Sequence, residues 1–338
     1  MSRTLATWLL TLAAFAAANG IEANGIEIEW PGKFYNPQPL AGDLVLPMPC
    51  GGAMVFRPVA TQTQLRLDDQ RVELGTVSAE LGYSEHPRAA HIAGSFSAQG
   101  ALMPNIYWLG KYEVTEMQWN AVTHSSACLS VNMHGRLPIS RINWFDAVQF
   151  AHRYTAWLYA HSLDAIPREE GQAGFIRLPT EVEWEYAARG GNAVSGEAFK
   201  QRTFPMAGGM QRYVWFDHPA RGQRQPAGLL KPNPLGLFDI LGNVEEIVLE
   251  PYRLHKVIRL HGQAGGFITK GGHFFTTGSA IRSAYRREYA PFNQQQGNPT
   301  RVATIGARMA IGNITITSRA ILARIKAQWH LQPRSSSR

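Results

Sequence analysis

The stretch GFIRLPTEVEWEYAARGG, residues 174–191, carries the signals of a short helix between extended chain and a glycine stop. Thr180 can accept a hydrogen bond at the helix N-terminus, and Glu183 stands at the reciprocal position of a capping box. Trp184 begins an inward-facing stripe, and Gly190 is the residue type that ends helices in the left-handed conformation. The stretch therefore predicts one capped helix in a fold that mixes helices with extended segments.

Two further helices are predicted on the N-terminal side of this stretch. YWLGKYEV, residues 107–114, has the composition of a strand, and Thr115 with Gln118 forms a capping-box pattern directly after it. Asn143 is a candidate N-cap for the helix WFDAVQFAHRYTAWLYA, residues 144–160. Apolar or small residues recur on one face of that helix. They are Val148, Ala151, Thr155 and Leu158.

Outside these helices the chain reads as short extended segments separated by turns. Between residues 24 and 100 the predicted strands are IEIEW (26–30), PGKFYNPQP (31–39), GGAMVFRPV (51–59) and QLRLDDQRVELG (64–75). Residues 192–304 are predicted to form loops and short strands, and the chain shows no internal repeat.

The composition suits a globular domain rich in turns. The chain has 338 residues, of which 45% are hydrophobic, so it can bury a substantial core. The 32 glycines and 20 prolines favour irregular segments over a helical bundle. The formal charge of +8 suits acidic partners, but the basic residues are spread along the chain. Nucleic acid is therefore not an expected partner.

The first 18 residues have the pattern of a secretory signal peptide. Arg3 supplies a positive start, and LATWLLTLAAFAAA, residues 5–18, is an apolar run that ends in small residues. We expect cleavage near Ala18 and export to the periplasm, with an uncleaved anchor as the alternative. No later run reaches the ~20 apolar residues of a membrane helix, so no transmembrane span is expected after signal removal.

The chain contains two cysteines, Cys50 and Cys128. In an oxidising compartment they can form one disulfide, which would stabilise the fold by roughly 4 kcal/mol in the loop-entropy model. Two separate buried thiols are the alternative. Their wide spacing excludes a two-cysteine redox motif.

A basic amphipathic helix and tail are predicted at the C-terminus, residues 313–338. Ser318 is a candidate N-cap for RAILARIKAQWH, residues 319–330. This helix either presents its basic side to a partner or an anionic membrane, or packs its apolar stripe on its own domain. The stripe contains Ile321, Ile325 and Trp329, and the basic residues are Arg319, Arg324 and Lys326.

Six stretches in this order resemble the formylglycine-generating enzyme and sulfatase-modifying-factor domain family. They are LGKYEVTEMQWNAV (109–122), RLPISRINWFDAVQFA (136–151), GFIRLPTEVEWEYAARGG (174–191), KPNPLGLFDILGNVEE (231–246), KGGHFFTTGSAIRSAYRREY (270–289) and IGARMA (305–310). The resemblance implies a compact α+β fold related to C-type lectins, with little regular secondary structure. It places one domain at residues 47–312, after an N-terminal extension at residues 19–46.

In catalytic members of this family, the segment after the Gly-Gly pair carries two copper-binding cysteines with four residues between them. Counted forward from that pair, these positions are Thr276 and Ile281 here; counted back from RSAYR, they are His273 and Gly278. Neither pair supplies two thiolates, the soft ligands that Cu(I) requires. The resemblance therefore implies a protein that binds no copper and makes no formylglycine.

A calcium site is also implied by the resemblance. The family's second calcium position maps onto Asp239, Gly242, Val244 and Glu246, which would offer carboxylate and carbonyl oxygens. Glu245 stands where the family usually has tryptophan, so the local packing has changed. In the alternative interpretation, Asp239 caps a turn and Glu246 is solvated.

The expected function is that of a non-catalytic binding or regulatory protein that uses the old substrate cleft or a surface beside it. Aromatic and arginine side chains are common anchors of protein interfaces. The candidate partner-binding residues are His273, Arg282, Arg286, Arg287 and Tyr289. The alternatives are a cysteine-independent periplasmic enzyme of the siderophore-maturation type, or a binder of glycan or cell wall.

Among family members, the chain is most similar to exported proteins that lack the catalytic cysteine pair and are associated with bacterial type VI secretion. The signal peptide and the altered motif GNVEE carry this likeness. It implies a periplasmic regulator whose partner is the periplasmic region of a membrane Ser/Thr kinase.

Overall fold

The structure, a computed structural model, describes residues 27–63, 68–77, 83–97, 104–125, 127–254 and 264–331. The predicted signal peptide and the tail beyond residue 331 lie outside the described residues. Within the described ranges, no helix has the length and apolar character needed to cross a membrane.

Helices and strands alternate irregularly along the chain. The helices are α1 (Gly32–Tyr35), α2 (Glu116–Thr123), α3 (Trp144–His161), α4 (Glu181–Ala188), α5 (Gly196–Lys200), α6 (Asp217–Ala220) and α7 (Arg319–Leu331). The strands are β1 (Leu44–Met48), β2 (Gly52–Ala60), β3 (Gln70–Leu74), β4 (Arg88–Ile92), β5 (Ile106–Gly110), β6 (Arg168–Glu169), β7 (Gln172–Ala173), β8 (Phe175–Arg177), β9 (Glu245–Pro251), β10 (Phe267–Lys270), β11 (Arg286–Tyr289), β12 (Ile305–Ala307) and β13 (Ala310–Gly312).

Two main sheets organise the described part of the chain. The larger has the strand order β1-β2-β5-β13-β8 and is antiparallel throughout. The smaller has the order β11-β10-β9-β12, in which only β12 runs parallel to its neighbour β9. The hairpins β3-β4 and β6-β7 complete the α+β arrangement.

The three predicted N-caps are confirmed, and Asn143 forms a capping box like the two that were predicted at Thr115 and Thr180. Thr115, Asn143 and Thr180 each accept a hydrogen bond from the backbone three residues on, and each receives the reciprocal side-chain contact. Gly190, with φ of 98°, follows α4 in the left-handed conformation. Local chemistry therefore fixes where these helices begin, as the sequence indicated.

Two of the four predicted core positions of α3, Ala151 and Leu158, are buried, but the centre of the buried face is shifted. Ala147, Phe150 and Tyr154 are fully buried against the larger sheet, whereas Val148 is only half-buried. Thr155 is also half-buried. Its hydroxyl donates to the Ala151 carbonyl and accepts from the backbone of β8. The face is set by how the helix meets the sheet, which the 3.6-residue period alone does not show.

The strand predictions hold for β2 and β3 but not for the first segments. Residues 27–30 form no strand, and the stretch 31–39 contains the short helix α1. The predicted strand at 107–114 ends at Gly110, where β5 ends. Beyond Gly110 the Lys111 side chain turns into the interior, toward the N-terminal segment.

The proposed domain boundary between residues 46 and 47 cuts through β1 and is wrong. Lys111 is fully buried, and its ammonium donates to Asn36 Oδ1 at 2.9 Å and Asp43 Oδ2 at 2.6 Å. Burial lowers the pKa of Lys111, while the bond to Asp43 acts in the opposite direction. The segment before residue 47 supplies these oxygens, so it belongs to the domain.

Cys50 and Cys128 form a disulfide with a Cα–Cα distance of 5.6 Å. The bridge joins the turn after β1 to the exposed loop after α2. Trp30 Nε1 donates to the Cys50 carbonyl at 2.9 Å, which fastens the N-terminal segment to the same turn.

The C-terminal helix α7 begins as predicted, with Ser318 Oγ accepting from the Ile321 backbone at 3.1 Å. Ile321 is buried and Ile325 half-buried, so this part of the apolar stripe lies on the domain. Glu170 accepts hydrogen bonds from Thr317 and Arg324, which holds the helix from the adjoining hairpin. The side chain of Trp329 lies outside the described residues.

Candidate functional site

A tight turn before β9 positions the central acidic residues. Gly242 has φ of 79°, and a Cβ there would lie 2.3 Å from the Trp215 carbonyl oxygen, so only glycine fits. Asn243 follows with φ of 52°, and its N–H donates to the same carbonyl at 2.8 Å. The turn directs Glu245 and Glu246 into different parts of the interior.

Glu245 is the centre of a buried network that joins β9 to β10 and the segment after it. One carboxylate oxygen accepts from Thr269 Oγ1 at 2.5 Å and pairs with Arg287 at 2.7 Å. The other accepts from Tyr285 OH at 3.2 Å and lies 3.3 Å from His273 Nε2. Burial raises the pKa of the Glu245 carboxyl, and Arg287 opposes the rise. The network holds together β9, β10 and the segment 273–287.

His273 is neutral in this network. Burial, and then the nearby charge of Arg287, lower its pKa from 6.5 to about 4. Its Nδ1 lies 3.1 Å from the Phe275 backbone nitrogen and accepts that N–H, so the ring proton is placed on Nε2, facing Glu245. A base with so low a pKa is poorly matched to proton transfer near neutral pH.

The positions expected to hold thiols in catalytic relatives have structural roles. Thr276 Oγ1 accepts from the His273 backbone at 2.9 Å, which closes a turn, and Ile281 is fully buried in the core. A Cβ at Gly278 would lie 3.0 Å from the Phe216 ring. In both alignments, these residues offer no pair of soft metal ligands.

Glu246, the second acidic residue of β9, is buried and paired with Arg308. The guanidinium of Arg308 contacts both carboxylate oxygens, at distances from 2.6 to 3.0 Å. Trp184 Nε1 donates to the same carboxylate at 2.6 Å. The interpretation in which Glu246 is solvated is therefore wrong, because the residue is only 1% exposed.

Two more buried carboxylates lie in this region, and they leave an excess of negative charge. Asp239 Oδ2 accepts from the Gly228 backbone at 2.7 Å, whereas Oδ1 has no partner among the described residues. Burial raises the pKa of Asp239 to about 6. Burial, followed by the charges of Asp239 and Glu246, raises the pKa of Glu113 well above its usual value. With Glu246, this makes three carboxylates near two buried guanidiniums, those of Arg308 and Arg136.

One oxygen of Asp239 is the feature of this cluster that favours a bound cation. A buried carboxylate oxygen without a partner among the described residues is a rare feature that a bound ion would explain. Among the described residues, no three His, Cys, Asp or Glu side chains converge as metal ligands. Of the two carboxylates that the resemblance implied as ligands, Asp239 has an oxygen without a partner in the described part of the chain, whereas both oxygens of Glu246 are held by Arg308 and Trp184. The other implied ligands are the carbonyls of Gly242 and Val244.

Two arginines predicted to face a partner are buried instead. Arg282 forms a bidentate pair with Glu85, at 2.6 and 2.5 Å. Arg286 pairs with Glu181 at 2.7 Å and also donates to the Ser84 carbonyl at 2.9 Å. Both arginines are less than a tenth exposed, so they stabilise the fold and cannot anchor a partner at the surface.

Of the other predicted contact residues, Arg287 remains available. Its side chain is 39% exposed although it pairs with Glu245. Tyr289 is buried and accepts from the Trp144 backbone at 2.9 Å, and His273 is mostly covered. Phe275, two residues after His273, is 57% exposed and was not among the predicted site residues.

Sequence reasoning missed the roles of Glu245, Asn243 and Glu113. Asn243 Nδ2 donates to Glu113 Oε2 at 2.7 Å, and Asn243 Oδ1 accepts from the Gln225 backbone at 2.9 Å. In the sequence, the one sign of these roles was that Glu245 stands where the family usually has tryptophan. A buried acid next to β10 requires cationic or hydroxyl partners, and these occur in the segment 269–287.

Comparisons with known proteins agree with this architecture. Residues 62–310 match the FGE-sulfatase family model, described as "Sulfatase-modifying factor enzyme 1-like domain". The "Chaperone protein LppX" of Paenibacillus barcinonensis is 28% identical over 208 residues, which cover 51% of this chain and 71% of that protein. The "Inactive C-alpha-formylglycine-generating enzyme 2" of Mus musculus is 28% identical over 167 residues, which cover 46% of this chain and 44% of that protein. Formylglycine-generating enzymes also match.

Among solved structures, "Treponema denticola variable protein 1" is similar with a TM-score of 0.57 and 20% sequence identity. The similarity covers 81% of this chain and 99% of that protein. At this identity the likeness shows the fold alone, and it confirms the predicted α+β class.

Proposed function

Because the chain belongs to the FGE-sulfatase family of sulfatase-modifying factor enzyme 1-like domains, we propose that it is a non-catalytic binding protein built on this fold. The observation that carries the proposal is that residues other than cysteine stand at the thiol positions. Thr276 closes a turn and Ile281 fills the core, so no copper-binding pair is present at these positions. The family also includes a protein named as inactive, which is compatible with this function.

The narrower proposal is a periplasmic regulator of type VI secretion. The leader-like sequence at residues 1–18 and the altered motif GNVEE resemble those of the secretion-associated protein TagR. The proposed partner is the periplasmic region of a membrane Ser/Thr kinase. A disulfide between Cys50 and Cys128 suits an oxidising compartment and supports this location.

The partner surface we propose is centred on Phe275 and Arg287. Both side chains reach solvent, and Phe275 packs on Phe274 with ring centroids 4.5 Å apart. An aromatic ring and an arginine on a rigid base are the usual anchors of an interface. The Glu245 network holds Arg287 in place, so little side-chain order is lost on binding.

A binding measurement on the purified kinase ectodomain tests the proposal. We expect the wild-type protein to bind the ectodomain and F275A/R287A to lose at least tenfold in affinity. The matched control is F292A/R301A, which removes a phenylalanine and an arginine with similar exposure at another surface. Equal affinities of the two variants, or no binding by the wild type, would refute this partner surface.

A separate assay tests the absence of catalysis. A peptide with the sulfatase cysteine motif, incubated with the protein, copper and oxygen, should keep its thiol when analysed by mass spectrometry. Loss of mass that corresponds to formylglycine would overturn the non-catalytic assignment, while leaving the binding measurement to stand on its own.

Calcium is part of the proposal as a structural ion. Asp239 would hold it through Oδ1 with the carbonyls of Gly242 and Val244, and Glu246 would have to share with the ion the carboxylate that Arg308 and Trp184 contact. It would supply positive charge to a buried cluster in which carboxylates outnumber cations. The ion would thereby stabilise the turn from which Glu245 extends.

A further inference from the structure

A cavity of about 230 Å³ borders the edge of β3, and neither Phe275 nor Arg287 lines it. Four consecutive residues, Gln70 to Glu73, line it. Alternate residues of a strand point to opposite faces, so a cavity that contacts all four lies along the edge of the strand. Its far wall is formed by the segments 191–194 and 196–200.

The backbone along this edge is open for pairing. Among the described residues, β3 pairs only with β4, in the antiparallel register that sets Val72 opposite Ala90. In such a pair, the N–H and C=O groups of alternate residues point away from the partner strand. Unpaired groups of this kind accept a further strand from another chain.

The cavity has a rigid floor. Tyr186 OH lies 2.7 Å from Asn192 Oδ1 and 3.1 Å from the Ala60 carbonyl. Arg189 connects the two walls, since it donates to the Gly75 carbonyl after β3 and to the Phe199 carbonyl of α5. A site already held in shape loses little entropy when it binds a ligand.

The walls of the cavity carry charges without partners. Arg71 and Lys200 are exposed, and no carboxylate in the described part of the chain pairs with either of them. Glu73 is the one acidic residue that lines the cavity. Two cations against one anion favour a ligand with a negative side chain.

The aromatic residues argue against a sugar ligand. Tyr186 is only 1% exposed, and the ring of Phe199 is in contact with Tyr186 and with the guanidinium of Arg189 at 5.7 Å. Tyr186 is therefore not free to stack on a sugar ring, and Phe199 already packs against two side chains. The main-chain edge and the unpaired cations instead match an extended acidic peptide.

We propose that the edge of β3 is a peptide-binding site that adds an extended segment with an acidic side chain as a third strand, held by Arg71 and Lys200. The site is separate from the surface around Phe275 and Arg287. It therefore does not depend on the function proposed above, and failure of one leaves the other unaffected.

Fluorescence polarisation with labelled heptapeptides on the full-length exported protein tests this site. The acidic peptide TVTEVTV should bind about tenfold more tightly than its isosteric partner TVTQVTV. TVTEPTV should bind weakly, because proline removes a main-chain donor and disfavours a paired strand. The variant R71E/K200E should lose the preference for the acidic peptide. The control K33E/R319E, with the same charge change at exposed residues elsewhere, should keep it.

Equal affinity for the acidic and neutral peptides would overturn the proposal, as would full binding of the proline peptide. The absence of binding by any of the three peptides would also overturn it. The N-acetylglucosamine trisaccharide is the rival probe, and its binding in place of the peptides would assign the cavity to glycan. Because the substituted residues are exposed, the thermal midpoints of both variants should match the wild type.

Discussion

Arg282 donates to both carboxylate oxygens of Glu85, although the two residues are 197 positions apart in the sequence. Both side chains are buried, so the pair joins the segment between β10 and β11 to the loop before β4. The arginine that the sequence offered as a contact for a partner is instead part of the interior.

Removal of Arg282 should therefore destabilise the protein without altering the partner surface. We expect R282M to lower the free energy of unfolding by about 3–5 kcal/mol, because it leaves Glu85 buried and unpaired. The control is R301M, which breaks an exposed bidentate pair with Asp146 and should cost less than about 1 kcal/mol. Urea denaturation measures both. Equal losses would contradict the assignment, and E85Q should partly restore the stability of R282M.

Acidification should destabilise the fold through His273. The folded-state pKa of about 4 lies below 6.5, so the unfolded chain binds the proton first as the pH falls. The contribution of His273 is present above pH 6.5 and is lost between pH 6.5 and 4. It amounts to about 1–2 kcal/mol once partial exposure is discounted.

Denaturation curves across that pH range, compared for wild type and H273Q, measure this contribution. The variant should show a flatter profile, and the exposed control H91Q should keep the wild-type slope. Identical slopes for wild type and H273Q would show that His273 is not the responsible group.

Chelation should lower the thermal midpoint of the wild-type protein if calcium balances the buried carboxylates. We expect calcium to restore the midpoint after dialysis against chelator. D239N removes a proposed ligand, so its midpoint should not respond to calcium. An unchanged wild-type midpoint would remove the ion from the proposal, and Asp239 Oδ1 would then lack an explanation.

Reduction of the disulfide should cost about 4 kcal/mol, since the bridge closes a loop with a sequence separation of 78. The variant C50S/C128S should show the same loss, measured by urea denaturation, and should not respond to reductant. A wild-type stability that is unchanged by reductant would show that the bond does not constrain the unfolded chain.

The sequence predicted the parts of the fold that local chemistry decides. The N-caps Thr115, Asn143 and Thr180 act within three residues, so their signals are complete in a short stretch. The burial of Arg282 depends on Glu85, which sequence spacing cannot place beside it. The sequence alone does not distinguish an arginine in a protein interface from an arginine in a buried ion pair.

The sequence predicted the part of the candidate site in which a motif fixes the backbone conformation. It did not predict the part in which a residue's role depends on its hydrogen-bond and ion-pair partners. The turn at Gly242 follows from a motif with one permitted residue type. Glu245 was visible only as a departure from the motif, because its partners come from β10 and the segment after it.

Lys111 is buried among oxygens of residues 36–43. The part of the chain that folds together is therefore longer than the part that matches the family model. The family match begins at residue 62, after β1 and β2, yet β5 pairs with β2 along its whole length. A chain cut at residue 62 would expose one side of β5 as an unprotected edge and would leave a buried ammonium without acceptors. Truncation for recombinant expression should therefore begin upstream of Trp30, whatever boundary homology suggests.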